Sequence, residues 1–444
     1  MSPLEYLAEA MPDWPGYALL VALFLVAHAP LIKRWAVGVY DPLFLLLLAN
    51  VFSWSIVWFM FLRGDIALGY LISFTAAQLA LYAGMWLGRP RSAASLPPPA
   101  RGEDCAVAFL TLVTATLVHV GSTLAIWRIA GIPLFRDSRL GAFEGSGGFG
   151  ILERLAESSA LMAIFAVVYL LLHRKRLRRN VLVHVFLLWF VCAIALSGSK
   201  AALLSVGQFV LSILFVYTAL RNARGRFWGG RAGKALLVGA TLFAVAVLAT
   251  QNEGDLVSAG LAFAYRVASF GDVYVFAYPN GTIESVKGSN PLIGLFGGFL
   301  STFRLFPQES VYPNIGYQFT GIIFPDLELI VGPNPQHPVF GYHYFGPFAF
   351  VFSFALGLFT SRVQARFYNR AHTTFVSGML AFLLYFSLVN ISVDFEYSLS
   401  KLASLIIGLV VVVGPVLLIL PRAPLWRLSW AQQEQVASGH LAAS

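Results

Sequence analysis

The polar residues able to do chemistry gather in one stretch, Gln251 to Phe345, of an otherwise apolar chain. It holds Arg266, Asp272, Arg304 and Glu309, and then the run GPNPQHPVFGYHYFG (Gly332 to Gly346) with His337 and His343. Histidine titrates near neutral pH and can take a proton from a hydroxyl. His337 stands between Pro335 and Pro338, which stiffen its backbone and favour it as a base, with Asp272 and Glu309 as alternatives. A loop histidine can equally be structural. Arg266 and Arg304 likewise admit two readings, a phosphate grip or a structural ion pair, because a guanidinium suits both.

Three further stretches carry polar groups that need a reason. WRIAGIPLFRDSRL (Trp127 to Leu140) presents Arg128, Arg136 and Arg139, either to an anionic lipid diphosphate or to headgroups and the acids Asp137 and Glu144. GSGGFG (Gly145 to Gly150) has dinucleotide-loop spacing but follows no strand, so only a glycine-rich helix start that could receive an anion survives, with Glu153 and Glu157 already complementing the helix dipole. SGSK (Ser197 to Lys200) turns the chain between two apolar runs, where Lys200 either snorkels or faces the interior.

The elements that must position these groups are membrane helices. Hydrophobic residues make up 58% and charged residues 11% of 444 residues, and the mean hydropathy is +0.75. Soluble domains carry about 25% charge. Runs of the length a span requires recur near 17–32, 42–62, 66–87, 105–126, 152–172, 181–197, 201–220, 235–250, 346–361, 374–391 and 402–420. The expectation is an all-α polytopic protein of about 11 spans (10 to 12), since continuous apolar runs fit helices and not barrel strands. It divides into an N-terminal bundle (1–250), an extracytoplasmic segment (251–345) containing amphipathic or re-entrant helices such as PLIGLFGGFLSTFRLFP (Pro291 to Pro307), and a C-terminal bundle with a short tail (346–444).

The net charge of +9 does not point to nucleic acid, because basic residues sit at the ends of apolar runs instead of along one module. Twenty of the 30 Lys and Arg fall in alternate loops, which predicts the N-terminus outside, the C-terminus inside and the 251–345 segment outside. The acidic N-terminus argues against a cleaved signal peptide, and two cysteines, Cys105 and Cys192, give no disulfide framework. No HExxH, GxxxxGK[ST] or GxSxG occurs, and the close acidic pair weighed for a metal is Glu253-x-Asp255. The expectation is an enzyme without metal or other cofactor.

These features resemble the O-antigen polymerase family, the Wzy-type oligosaccharide repeat unit polymerases. The resemblance rests on GIPLF (Gly131 to Phe135) with Arg139 and the glycine-rich turn, LSGSKAALL (Leu196 to Leu204), YRVASFGD (Tyr265 to Asp272) and YHYFGPFAFVFSFALG (Tyr342 to Gly357). It implies a GT-C-like membrane enzyme of the bacterial inner membrane that moves a glycan from undecaprenyl diphosphate to a sugar hydroxyl of the next repeat unit, beside a flippase and a chain-length regulator. His337, Asp272 or Glu309 would then act as base. Arg266, Arg304, Arg139, Lys200 and Arg128 would meet the diphosphate, and Tyr342, His343 and Tyr344 the sugars. An Arg-x15-Gly spacing seen in some members is missed by one residue at Arg266 and at Arg304. The histidine before a span also resembles O-antigen ligases, and a lipid-linked oligosaccharide flippase is the alternative of another class.

Overall fold

The computed structural model describes residues 13–88, 105–135, 150–173, 181–197, 202–218, 271–326, 332–370 and 374–419, with a few positions between 231 and 242. Among these residues every regular element is helical. The N-terminal half contributes α1 (Trp14–Trp35), α2 (Pro42–Arg63), α3 (Leu68–Gly88), α4 (Cys105–Ala130), α5 (Gly150–His173), α6 (Val181–Leu196) and α7 (Ala202–Thr218). Then come the short α8 (Asp272–Ala277), α9 (Pro291–Thr302), α10 (Ile315–Ile323) and α11 (His337–Phe345). The chain closes with α12 (Ala349–Arg370), α13 (Phe375–Leu388), α14 (Phe395–Gly408) and α15 (Gly414–Ile419), the last two joined by a π-helical turn.

Seven described helical stretches are long and apolar enough to cross a membrane, and four shorter apolar helices accompany them. The chain is thus a multi-pass α-helical membrane protein by length and composition. Helices stand at ten of the eleven expected positions, while 235–250 lies almost wholly outside the described residues. Proline and small caps set the boundaries. Asp41 caps α2 by accepting the Leu43 N–H at 3.1 Å with Pro42 just inside the helix, and Gly64 ends it at φ 81°.

The expected span 346–361 takes a different form. The apolar stretch His337–Tyr368 is no straight helix, because Gly346 adopts φ 53° and ψ −126°, which reverses the chain. α11 therefore folds back on α12 as a hairpin: His337 Nδ1 lies 2.8 Å from Ser353 Oγ, and a Cβ on Gly341 would sit 3.3 Å from Ala349. The hairpin is held by α3, which runs parallel to α12 with backbones almost touching. A Cβ on Gly84 would lie 2.1 Å from the Phe354 carbonyl oxygen, and one on Gly357 2.0 Å from that of Leu81. Small residues permit this approach where lipid offers no hydrophobic drive to helix pairing.

At one face the ends of α1, α2 and α12 meet around Asp41, which is 1% exposed. It accepts from Val37 N–H, Gln364 Nε2 and Tyr368 OH at 3.1 Å each, and also from Tyr385 OH of α13. The opposite face carries the segment after residue 271. Its described part packs into the bundle instead of resting above it: Val273, Tyr274, Ile315, Phe319, Val339 and Phe340 are fully buried in one cluster with Val57, Met60 and Phe74 of α2 and α3.

Candidate functional site

The described sequence candidates are spread over several parts of the fold. His337 opens α11 deep in the bundle, 3% exposed, its backbone N–H donating to Ser392 O at 2.9 Å and its Nε2 without a hydrogen-bond partner among the described residues. Beside it the Gln336 side chain accepts from Ser53 Oγ at 2.7 Å and Tyr274 OH at 2.9 Å. The proline-flanked run that reads as a surface loop is thus an interior polar seam, drawn in by the buried Val339 and Phe340 that follow. Asp272 opens α8 half-buried.

The outer end of α11 carries the other three. Tyr342 OH donates to Glu284 Oε1 at 3.0 Å, and His343 Nε2 lies 2.7 Å from the Gly288 carbonyl, to which its N–H donates. Tyr344 is buried against α9, where a Cβ on Gly294 would lie 2.1 Å from Cζ of the ring. Arg304 and Glu309 share a surface depression of about 340 Å³ with Ser301 and Gln308. Arg304 occupies the left-handed position after α9 at φ 58°, closing the helix through Leu305 N–H to Leu300 O at 3.0 Å. Arg128 is exposed in the last turn of α4. Arg139, Lys200 and Arg266 lie outside the described residues.

Beside this depression is a larger groove of about 620 Å³, lined by Gln308, Tyr312, Pro313, Asn314, Tyr317 and Gln318. Behind Asn314 stand two acids that sequence reasoning missed, Asp394 and Glu396. Asp394 caps α14 by accepting the Tyr397 N–H at 2.8 Å. Glu396, in the first turn, accepts from Asn314 Nδ2 at 2.9 Å. Burial pushes the Asp394 carboxyl up to about 6, although the Tyr397 N–H and the Lys401 charge oppose it. Burial, with both carboxylates beside it, also raises the Tyr317 phenol.

Two cations flank the acids. Lys401 Nζ sits 4.4 Å above the Tyr397 ring. Arg154 reaches from α5 to α14 and α9, donating from Nη1 to Ser400 O at 3.0 Å and Ser400 Oγ at 3.1 Å, and from Nη2 to Thr302 Oγ1 at 3.1 Å. It forms no ion pair among the described residues. Ser400 stands one turn after Glu396 on the same face of α14, so the guanidinium is anchored one helical turn from that carboxylate.

The missed signals were present in the sequence. Asp394-x-Glu396 repeats the spacing of Glu253-x-Asp255, and Arg154 lies between the two glutamates read as dipole partners. Chemically, a buried carboxyl near 6 is largely ionised at neutral pH and basic enough to take a hydroxyl proton, while guanidinium and ammonium groups can meet a departing anion. Comparison with known families, curated proteins and solved structures finds no match for this chain.

Proposed function

We propose that this chain is a membrane glycosyltransferase that polymerises undecaprenyl-diphosphate-linked oligosaccharide repeat units into a surface polysaccharide. In this reading it is a GT-C-like enzyme of the bacterial inner membrane with the N-terminus outside. The observation that carries the reading is the pair of acids behind the groove, Asp394 buried and Glu396 half-buried, with Lys401 acting on Asp394 and Arg154 bonded to Ser400 one turn further along α14, four charged groups in an apolar bundle. Charge at such a boundary is costly to keep and marks function.

The acceptor sugar hydroxyl gives its proton to the carboxylate of Asp394 or Glu396. Its oxygen forms a bond to the anomeric carbon of the donor as the bond from that carbon to the diphosphate oxygen breaks. The electron pair leaves with the lipid diphosphate, whose new charge is met by Arg154 and Lys401, with Arg304 at the neighbouring depression. Polymer formation by purified protein from a synthetic lipid diphosphate repeat unit tests this, and full turnover by both Asp394→Asn and Glu396→Gln would overturn it.

A second reading, transport of the lipid-linked oligosaccharide, draws support from the interior seam of Asn50, Gln78 and His337, all buried and polar. Liposome assays separate the two: movement of the lipid without chain growth favours transport.

A further inference from the structure

We propose that Glu284, Tyr342 and Tyr70 form a carbohydrate subsite that holds the acceptor glycan beside the reaction groove. This deepens the glycosyl-transfer reading and rests on it. Glu284 is exposed, yet its carboxylate is fixed by two phenols from different helices, Tyr342 OH at 3.0 Å and Tyr70 OH at 3.4 Å. Both donate to Oε1, so Oε2 has no donor among the described residues. An exposed glutamate normally samples several rotamers, and ordering it costs conformational entropy.

The phenols are themselves held. Tyr70 stacks on Tyr278, which is 2% exposed, with ring centroids 5.0 Å apart and 11° between planes. Tyr342 stands edge-on to Tyr70 at 5.7 Å. Beneath them Asn280 and Gly281 turn the chain through two successive left-handed residues at φ 55° and 67°. A Cβ on Gly281 would lie 3.3 Å from the Tyr70 hydroxyl, so the turn closes tightly under the phenol.

This combination selects a ligand. A preset carboxylate with a spare oxygen accepts charge-assisted bonds from sugar hydroxyls, and aromatic rings cover the C–H face of a pyranose. The same negative charge repels a phosphate, which assigns the platform to the acceptor glycan and not to the donor's diphosphate. The geometry also connects it to the groove. Tyr342 and Tyr344 are two residues apart on α11 and point to different sides, the first to Glu284 and the second towards α9 and Glu396. A glycan crossing the tip of α11 passes from the platform to the acids.

The test is saturation-transfer-difference NMR of the full chain in nanodiscs with N-acetyllactosamine, maltose and a rhamnosyl disaccharide. The expected result is transfer to at least one saccharide, with binding about tenfold weaker in Glu284→Gln and in Tyr70→Phe, which keeps the ring packed. Tyr385→Phe, in the Asp41 cluster at the opposite face, should leave binding unchanged. No transfer in the wild type, transfer that survives both platform substitutions, or its loss in Tyr385→Phe would each overturn the inference. Polymer formation is measured separately: saccharide contact without polymer leaves the subsite standing and removes the polymerase reading, and polymer without contact does the reverse.

Discussion

Asn314 ties two helix starts together: its Nδ2 donates to Glu396 Oε2 at 2.9 Å while its Oδ1 accepts the Gly316 N–H at 2.9 Å and caps α10. Asn314→Ser keeps a capping oxygen but cannot reach the carboxylate. Folded protein should therefore change little, by about 0.5 kcal/mol, while polymer turnover falls by about tenfold. Thermal unfolding by fluorescence-detected chromatography and the polymer assay, run on the same preparation, check the two expectations.

If Asp394 is the base, its carboxyl must be ionised to act. Burial raises it to about 6, so turnover should be full above that pH and fall as pH drops through it. The inflection should vanish in Asp394→Asn, whose turnover should be lower by about a hundredfold or more. An unchanged pH profile in that variant would hand the role to Glu396.

Arg304 offers an unusually clean separation of charge from fold. A side chain at φ 58° costs about 1 kcal/mol that glycine avoids. Arg304→Gly should thus leave stability equal or higher. If the guanidinium meets the diphosphate, activity per folded molecule should still fall by about a hundredfold. Full activity in this variant would make Arg304 a bystander.

His337→Ala should act through the fold. The ring is buried and bonded to Ser353, so its loss leaves a polar void and lowers the yield of folded protein. Turnover per folded molecule should stay within about threefold of wild type. A turnover collapse with normal folding would restore the histidine as the base.

Tyr385→Phe removes one donor from the buried Asp41 carboxylate and leaves the shape of the core intact. The expected loss is about 1–3 kcal/mol of stability, seen as a lower unfolding temperature. Activity of the folded fraction should persist, since this cluster stands at the face away from the groove.

Much of the architecture could be read from apolar runs, because a helix in lipid needs length and little else. Reversals within a run could not. The stretch around Gly346 is apolar on both sides, and only the backbone angles of that glycine divide α11 from α12. The site was harder for a related reason. GPNPQHP looks like a loop by composition, yet Gln336 and His337 find partners in α2, α8 and α12 that no local pattern reveals. Arg304, Glu309 and the tyrosines of α11 were visible as polar groups clustered in one stretch of the chain. Asp394, Glu396 and Arg154 were not, since each sits at a helix start where an acid or an arginine has an ordinary explanation.

The near contact of Gly84 and Gly357 with opposing carbonyls has a mechanical consequence. Sliding α12 along α3 by one residue would drive a side chain into a backbone oxygen, so the pair behaves as a single stiff beam. α11, doubled back on that beam, is a fixed wall. Any opening of the groove to admit a lipid-borne chain must come from the other side, where short α9 and α10 hang from exposed turns. Crosslinking α3 to α12 should then be harmless, whereas tethering α10 to α14 should trap substrate or shut it out.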